Sequence, residues 1–138
     1  QRQMCIRDSA NGVKTLFKNL KQGGFSIILP DHVPQPSGGV VVPFFGIPCL
    51  TSTLASKMAQ KTQCRLVGLS CFRSADGEGF EVYCDDLNDP QLCDADLDVA
   101  TAALNKAVEA MINRFPAEYM WGYKRFRGDK IAGNHYNK

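Results

Sequence analysis

No apolar run in this 138-residue sequence approaches the roughly 20 residues that a membrane-spanning helix needs. The six cysteines, at 5, 49, 64, 71, 84 and 93, include no C-x-x-C pair, and no histidine lies close enough to complete a zinc pattern, so no metal site is expected. Neither G-x-x-x-x-G-K-S/T nor G-x-G-x-x-G occurs, which excludes the usual backbone cradles for nucleotide phosphates. Net charge is only +2, too slight to imply a polyanionic partner, and nucleic acid is not expected. Internal repeats and low-complexity tracts are absent too.

What is present suits a globular core. Hydrophobic residues make up 44% of the chain and charged residues 22%, and the length fits one domain or a piece of one. Several cysteines sit in apolar segments, where reduced thiols act as small hydrophobes. The prefix QRQMCIRDS (residues 1–9) carries no periodicity. MCIRDS is also the translation of ATGTGTATAAGAGACAG plus one further base, a string resembling a sequencing-library adapter end. Residues 1–9 are therefore expected to be a sequencing artefact outside the fold, with the natural protein beginning further upstream.

Hydrophobic spacing divides the rest. Val13, Leu16, Phe17 and Leu20 make one helical stripe, stopped by Gly23 and Gly24. FSIIL, 25–29, reads as a strand covered on both faces, followed by a Pro- and Gly-rich loop, PDHVPQPSGGVVVPFFG, from Pro30 to Gly46. Thr51, Ser52 and Thr53 offer N-cap hydroxyls for a helix to about Thr62. RLVGLSCF, 65–72, and FEVYC, 80–84, flank turn residues and predict an antiparallel hairpin. Leu97, Thr101, Leu104, Val108, Met111 and Phe115 then trace a long helix that Pro116 ends, with a polar tail from Asp129 to Lys138. The order predicts an α/β fold of three-layer type, with a crossover helix joining two parallel strands and a hairpin extending the sheet.

In such sheets ligands gather at strand carboxyl ends, which singles out the 30–46 loop. Asp31 and His32 are a carboxylate and an imidazole suited to orienting and moving a proton, yet spacing alone favours an Asx turn before Pro34 and an exposed ring. Gly38 and Gly39 permit close approach to the backbone, or simply a flexible turn. Phe44 and Phe45, ahead of Gly46, suit an apolar pocket or a core contact, and Arg73 at a strand end could hold an anion or be solvated. From Tyr119 to Arg127, Trp121, Lys124, Arg125 and Arg127 interleave ring and cation as at a membrane surface or single-stranded nucleic acid, or pack back on the sheet.

Taken in order, LPDHVPQPSGGVVVPFFGIPCLTSTLASKMAQKT, a strand, an arginine, a hairpin, a helix containing Asn105, and RFPAEYMWGYKRFRG resemble the C-terminal half of the bacterial lipid A biosynthesis acyltransferases, the late lauroyl and myristoyl transferases of lipopolysaccharide assembly. The resemblance spans about residues 11–128, and PFFG and YMWGYKRF are its specific pieces. It implies an acyltransferase on the cytoplasmic face of the bacterial inner membrane. Such an enzyme moves a fatty acyl chain from acyl carrier protein to a glycolipid hydroxyl, with no cofactor of its own. It also implies a substrate-binding set of Asp31, His32, Gly38, Gly39, Phe44, Phe45, Gly46 and Arg73, and membrane-surface contact by Trp121, Lys124, Arg125 and Arg127. The family's base is a histidine with a carboxylate five positions later. Here the residue five after His32 is Ser37, and no residue stands five beyond His135. No catalytic residue is therefore assigned, and residues 10–128 are expected to be an incomplete, inactive fragment of that domain. A glycerolipid-type acyltransferase fragment and a small membrane- or nucleic-acid-binding module are the alternatives.

Overall fold

The computed structural model describes residues 10–127. The prefix 1–9 and the polar tail 129–138, His135 included, lie outside the described residues. Helix α1 (Ala10–Lys21) follows the expected stripe, with Leu16 buried and Lys18 and Lys21 in the last turn, where the helix dipole favours cations. Gly23, at φ 79°, ends it in the left-handed conformation that glycine adopts most cheaply.

The run 25–29 departs from expectation. It carries no ladder pairing, and Phe25, Ile27 and Leu29 are 81%, 77% and 60% exposed. Ile28 alone of the four turns inward, against the core formed by Ala55, Leu92, Ala103 and Leu104. A strand needs a partner edge for its backbone groups, and no described strand pairs with this run.

The loop at 30–46 holds more order than its prolines suggest. After a single 3-10 turn, Pro36–Gly38, strand β1 (Gly39–Phe44) reverses into strand β2 (Ile47–Ser52), antiparallel with Phe44 opposite Ile47 and Pro43 opposite Pro48. Phe45 and Gly46 form the turn with φ of 49° and 75°, positive at both central residues as a tight hairpin of this hand requires. Phe44, Phe45 and Gly46 thus lead directly into β2. Gly39 is fixed by its neighbours, since a Cβ there would sit 2.6 Å from the Thr51 carbonyl oxygen and 2.8 Å from Pro34 Cγ.

Helix α2 (Leu54–Thr62) buries Ala55, Ser56, Met58 and Ala59. Of the three candidate caps, Ser52 accepts from the Leu54 amide at 3.3 Å, Thr53 donates to the Gly38 carbonyl, and Thr51 turns into the core. Strands β3 (Leu66–Arg73) and β4 (Phe80–Leu87) form the expected antiparallel hairpin. Helix α3 (Leu97–Arg114) opens with Asp96 accepting from the Asp98 amide and buries Ala100, Thr101, Ala103, Leu104, Asn105 and Ile112.

The result is a mixed α/β fold holding two separate two-stranded antiparallel sheets. The parallel pair joined by a crossover helix is not found among the described residues: α2 links β2 to β3, which belong to different sheets. The physical reason is the unpaired 25–29 run, the partner on which that topology depended. Helix α3 packs against β1 and β3, and Met111 lies so close to Gly68 that a Cβ there would meet its sulfur at 2.6 Å. The opposite face of β3–β4 is uncovered, with Val67, Leu69, Phe80 and Val82 between 49% and 69% exposed. No helix among the described residues is long and apolar enough to cross a membrane.

Candidate functional site

A groove of about 800 Å³ runs between residues 24–31 and β3, with α3 beneath it. Ile28, Met58, Leu104, Val108, Met111 and Ile112 line its apolar length, and Asp31 and Tyr119 stand on its wall. A smaller hollow, about 280 Å³, between Leu87, Asp89, Leu92 and Lys106 holds none of the sequence-predicted residues.

Asp31 is half-buried and accepts a hydrogen bond through Oδ2 from the Tyr119 hydroxyl at 2.8 Å, across 88 positions of sequence. Burial first, and then this bond to a carboxylate, push the Tyr119 phenol well above its ordinary pKa, so the proton stays on the tyrosine. Two residues on, the Val33 amide donates to the Tyr123 hydroxyl at 2.9 Å, and the exposed His32 ring lies 5.1 Å from that of Tyr123. The 31–33 segment is thus held by the C-terminal aromatics, a pairing that no local pattern announces.

Those aromatics are themselves fixed. Tyr119 meets Trp121 edge to face at 4.8 Å, Trp121 lies 5.7 Å from Phe45, and the Trp121 indole donates to the Pro116 carbonyl at 2.7 Å. Phe45, whose φ of 49° is strained for a non-glycine residue, donates its amide to Glu109 Oε1 at 2.7 Å, a contact across 64 positions of sequence.

The predicted site residues divide accordingly. Asp31 lies on the groove; His32 stands outside its lining, on Tyr123. Gly38 has open space where a side chain would be, whereas the close approach at Gly39 is to the chain's own second strand. Phe44 is 1% exposed and belongs to the core with Cys49 and Ile112. Arg73 lies at the end of β3, over the Phe80 ring at 5.4 Å, and is not part of the groove lining.

Arg125 requires correction as a surface residue. It is 2% exposed, donating through one Nη to the Leu50 carbonyl and through the other to Thr51 Oγ1, both at 2.7 Å, with its guanidinium 5.3 Å from the Phe44 ring. Thr51, wholly buried, also accepts from Asn105 Nδ2 at 3.2 Å, and that amide reaches the Pro43 carbonyl at 2.8 Å. The ion pairs among the described residues are Arg65–Asp86 and Arg114–Asp85, so Arg125 is met by neutral acceptors and a ring. Burial pushes the Cys49 thiol up, while the Arg125 charge pulls it back. Trp121, Lys124 and Arg127 remain at the surface, Arg127 over the Tyr123 ring.

The family profile described as bacterial lipid A biosynthesis acyltransferase matches residues 1–128. The chain is 34% identical over 119 residues to the lipid A biosynthesis lauroyltransferase of Escherichia coli strain K12, covering 83% of this chain and 38% of that protein. It is 24% identical over 120 residues to the lipid A biosynthesis palmitoleoyltransferase of the same strain, and likewise to a lipid A biosynthesis acyltransferase of Shigella flexneri, covering 85% of this chain and 38% of each. The chain thus spans under two fifths of the length of these curated relatives.

Proposed function

The chain belongs to the bacterial lipid A biosynthesis acyltransferase family, and from that premise we propose that it forms one wall of the site where a fatty acyl group passes from acyl carrier protein to a hydroxyl of a lipid A precursor, at the cytoplasmic face of the inner membrane. The observation that carries this reading is the groove, about 800 Å³, apolar along its length and bearing the Asp31–Tyr119 pair on its wall. An amphiphile has the same division: an acyl chain gains on the order of 0.8 kcal/mol per buried CH₂, and its polar head needs hydrogen-bond partners.

In the reaction the acceptor hydroxyl attacks the thioester carbonyl, an ester C–O bond forms, the C–S bond breaks, and the thiolate leaves. The hydroxyl proton must go to a base. The family's base, a histidine with a carboxylate five positions on, has no counterpart in this sequence, and His32 lies against Tyr123 outside the groove lining. The 138-residue chain is therefore a binding wall without its proton acceptor. Incubated with acyl-loaded carrier protein and a lipid A precursor, it is expected to give no ester product above the uncatalysed background by mass spectrometry. Turnover would overturn this assignment.

Contact with the membrane surface is favoured by the exposed Met120 and Trp121, 74% and 50%, beside Lys124 and Arg127. Each cation near an anionic bilayer contributes about 1 kcal/mol, so Lys124→Ala with Arg127→Ala is expected to weaken pelleting with phosphatidylserine vesicles by roughly tenfold or more. Arg125, being buried, is left intact in this test. Equal pelleting of the two proteins would remove the segment from the membrane.

A further inference from the structure

We propose that Tyr119 is a positioning residue, which aims the Asp31 carboxylate to receive a hydroxyl of an amphiphile seated in the groove. This rests on the reading of the groove given above. Asp31 sits just after the 25–29 run, where a carboxylate could take several rotamers. One oxygen, Oδ2, is held at 2.8 Å by the Tyr119 hydroxyl. An ionised carboxylate has about four acceptor positions, so most of its capacity is left for a ligand donor.

Tyr119 can aim because its own ring is immobilised. It packs against the buried cluster of Phe44, Cys49 and Ile112, and meets Trp121 at 4.8 Å with an interplanar angle of 80°. Trp121 is in turn tied to Pro116 and lies beside Phe45, whose amide Glu109 holds. The phenol is therefore presented by the hairpin turn, α3 and the C-terminal segment together. Tyr123 fixes the following backbone through Val33, so the loop cannot pivot away and leave the phenol without its acceptor.

The test uses the chain itself. Trp121 is its single tryptophan and touches Tyr119, so its emission reports on the site. The probe is n-octyl β-D-glucoside below its micelle concentration, which supplies sugar hydroxyls on an alkyl chain. Saturable binding is expected, weakened about fivefold in Tyr119→Phe, the loss of one hydrogen bond's worth of orientation, and at least as much in Asp31→Asn. The double variant should bind no worse than Asp31→Asn alone, because the phenol acts only through the carboxylate. Tyr83→Phe, which removes a phenol bonded to Glu81 on β4, should leave binding unchanged. Near-UV circular dichroism at the assay temperature checks that each variant is folded, which the retained ring of Tyr119→Phe favours.

Unchanged affinity in Tyr119→Phe, or additive losses in the double variant, would overturn the positioning role and leave the groove reading standing. No saturable response from the unsubstituted chain would overturn both.

Discussion

Replacement of Arg125 by alanine is expected to cost about 3 kcal/mol of folding stability and to lower the thermal midpoint by roughly 10 °C. The side chain ties the C-terminal segment to β2 through two charge-assisted bonds, to the Leu50 carbonyl and Thr51 Oγ1, and covers the face of Phe44. Alanine leaves the carbonyl without this donor and opens a void beside the ring. Thr51 keeps the Asn105 amide, so it loses less. Lysine should recover little, because one ammonium cannot reproduce a planar fork that reaches two acceptors. Methionine is the informative control: it fills the volume and removes a buried charge, but leaves the Leu50 carbonyl unpaired. Chemical denaturation followed by Trp121 emission ranks the four proteins, and an alanine variant within 1 kcal/mol of the parent would refute the clamp.

Phe44→Ala is expected to be costlier, about 3–5 kcal/mol, the range for truncating a fully buried aromatic. Phe44 lies 4.9 Å from the Phe45 ring and 6.0 Å from Phe126, and packs in one cluster with Cys49 and Ile112. Domains of this size are stable by only about 5–15 kcal/mol, so the loss should be a large part of the total and shift the denaturation midpoint strongly. Combined with Arg125→Ala, the losses should fall short of their sum by about 1 kcal/mol, because the guanidinium–ring contact can be lost only once. Strict additivity in the same denaturation series would show that the two side chains act independently.

Helices α1 and α3 were readable because each has an apolar stripe and a stop, Gly23 after α1 and Pro116 shortly after α3, and α2 was readable from the hydroxyls at 51–53 ahead of it. The β3–β4 hairpin was readable from its turn residues. The β1–β2 hairpin was hidden by Pro43 and Pro48, which read as loop punctuation although they face one another near the turn, where the ladder can spare two donors. The error at 25–29 is of another kind. Its composition is that of a doubly covered strand, but composition states only what a segment could bury, and no described partner supplies the edge.

At the site, Asp31 was legible from its place after an apolar run. Its partner was not, since residues 88 apart meet only through the whole fold. Arg125 was misread for a related reason. Among Lys124, Phe126 and Arg127 it has the look of a solvated cation, and only the free carbonyl of Leu50 and the hydroxyl of Thr51, far off in sequence, give a buried guanidinium somewhere to point.

The uncovered side of β3 and β4 governs how the isolated polypeptide behaves in a tube. Val67, Leu69, Phe80 and Val82 form one greasy facet, with Phe25, Ile27 and Leu29 also facing water, and a net charge of +2 supplies little colloidal repulsion. Association through this facet, rather than the unfolding equilibrium, is therefore expected to limit yield and shelf life in dilute buffer, and a mild detergent is expected to keep the chain monomeric in light scattering where cooling does not.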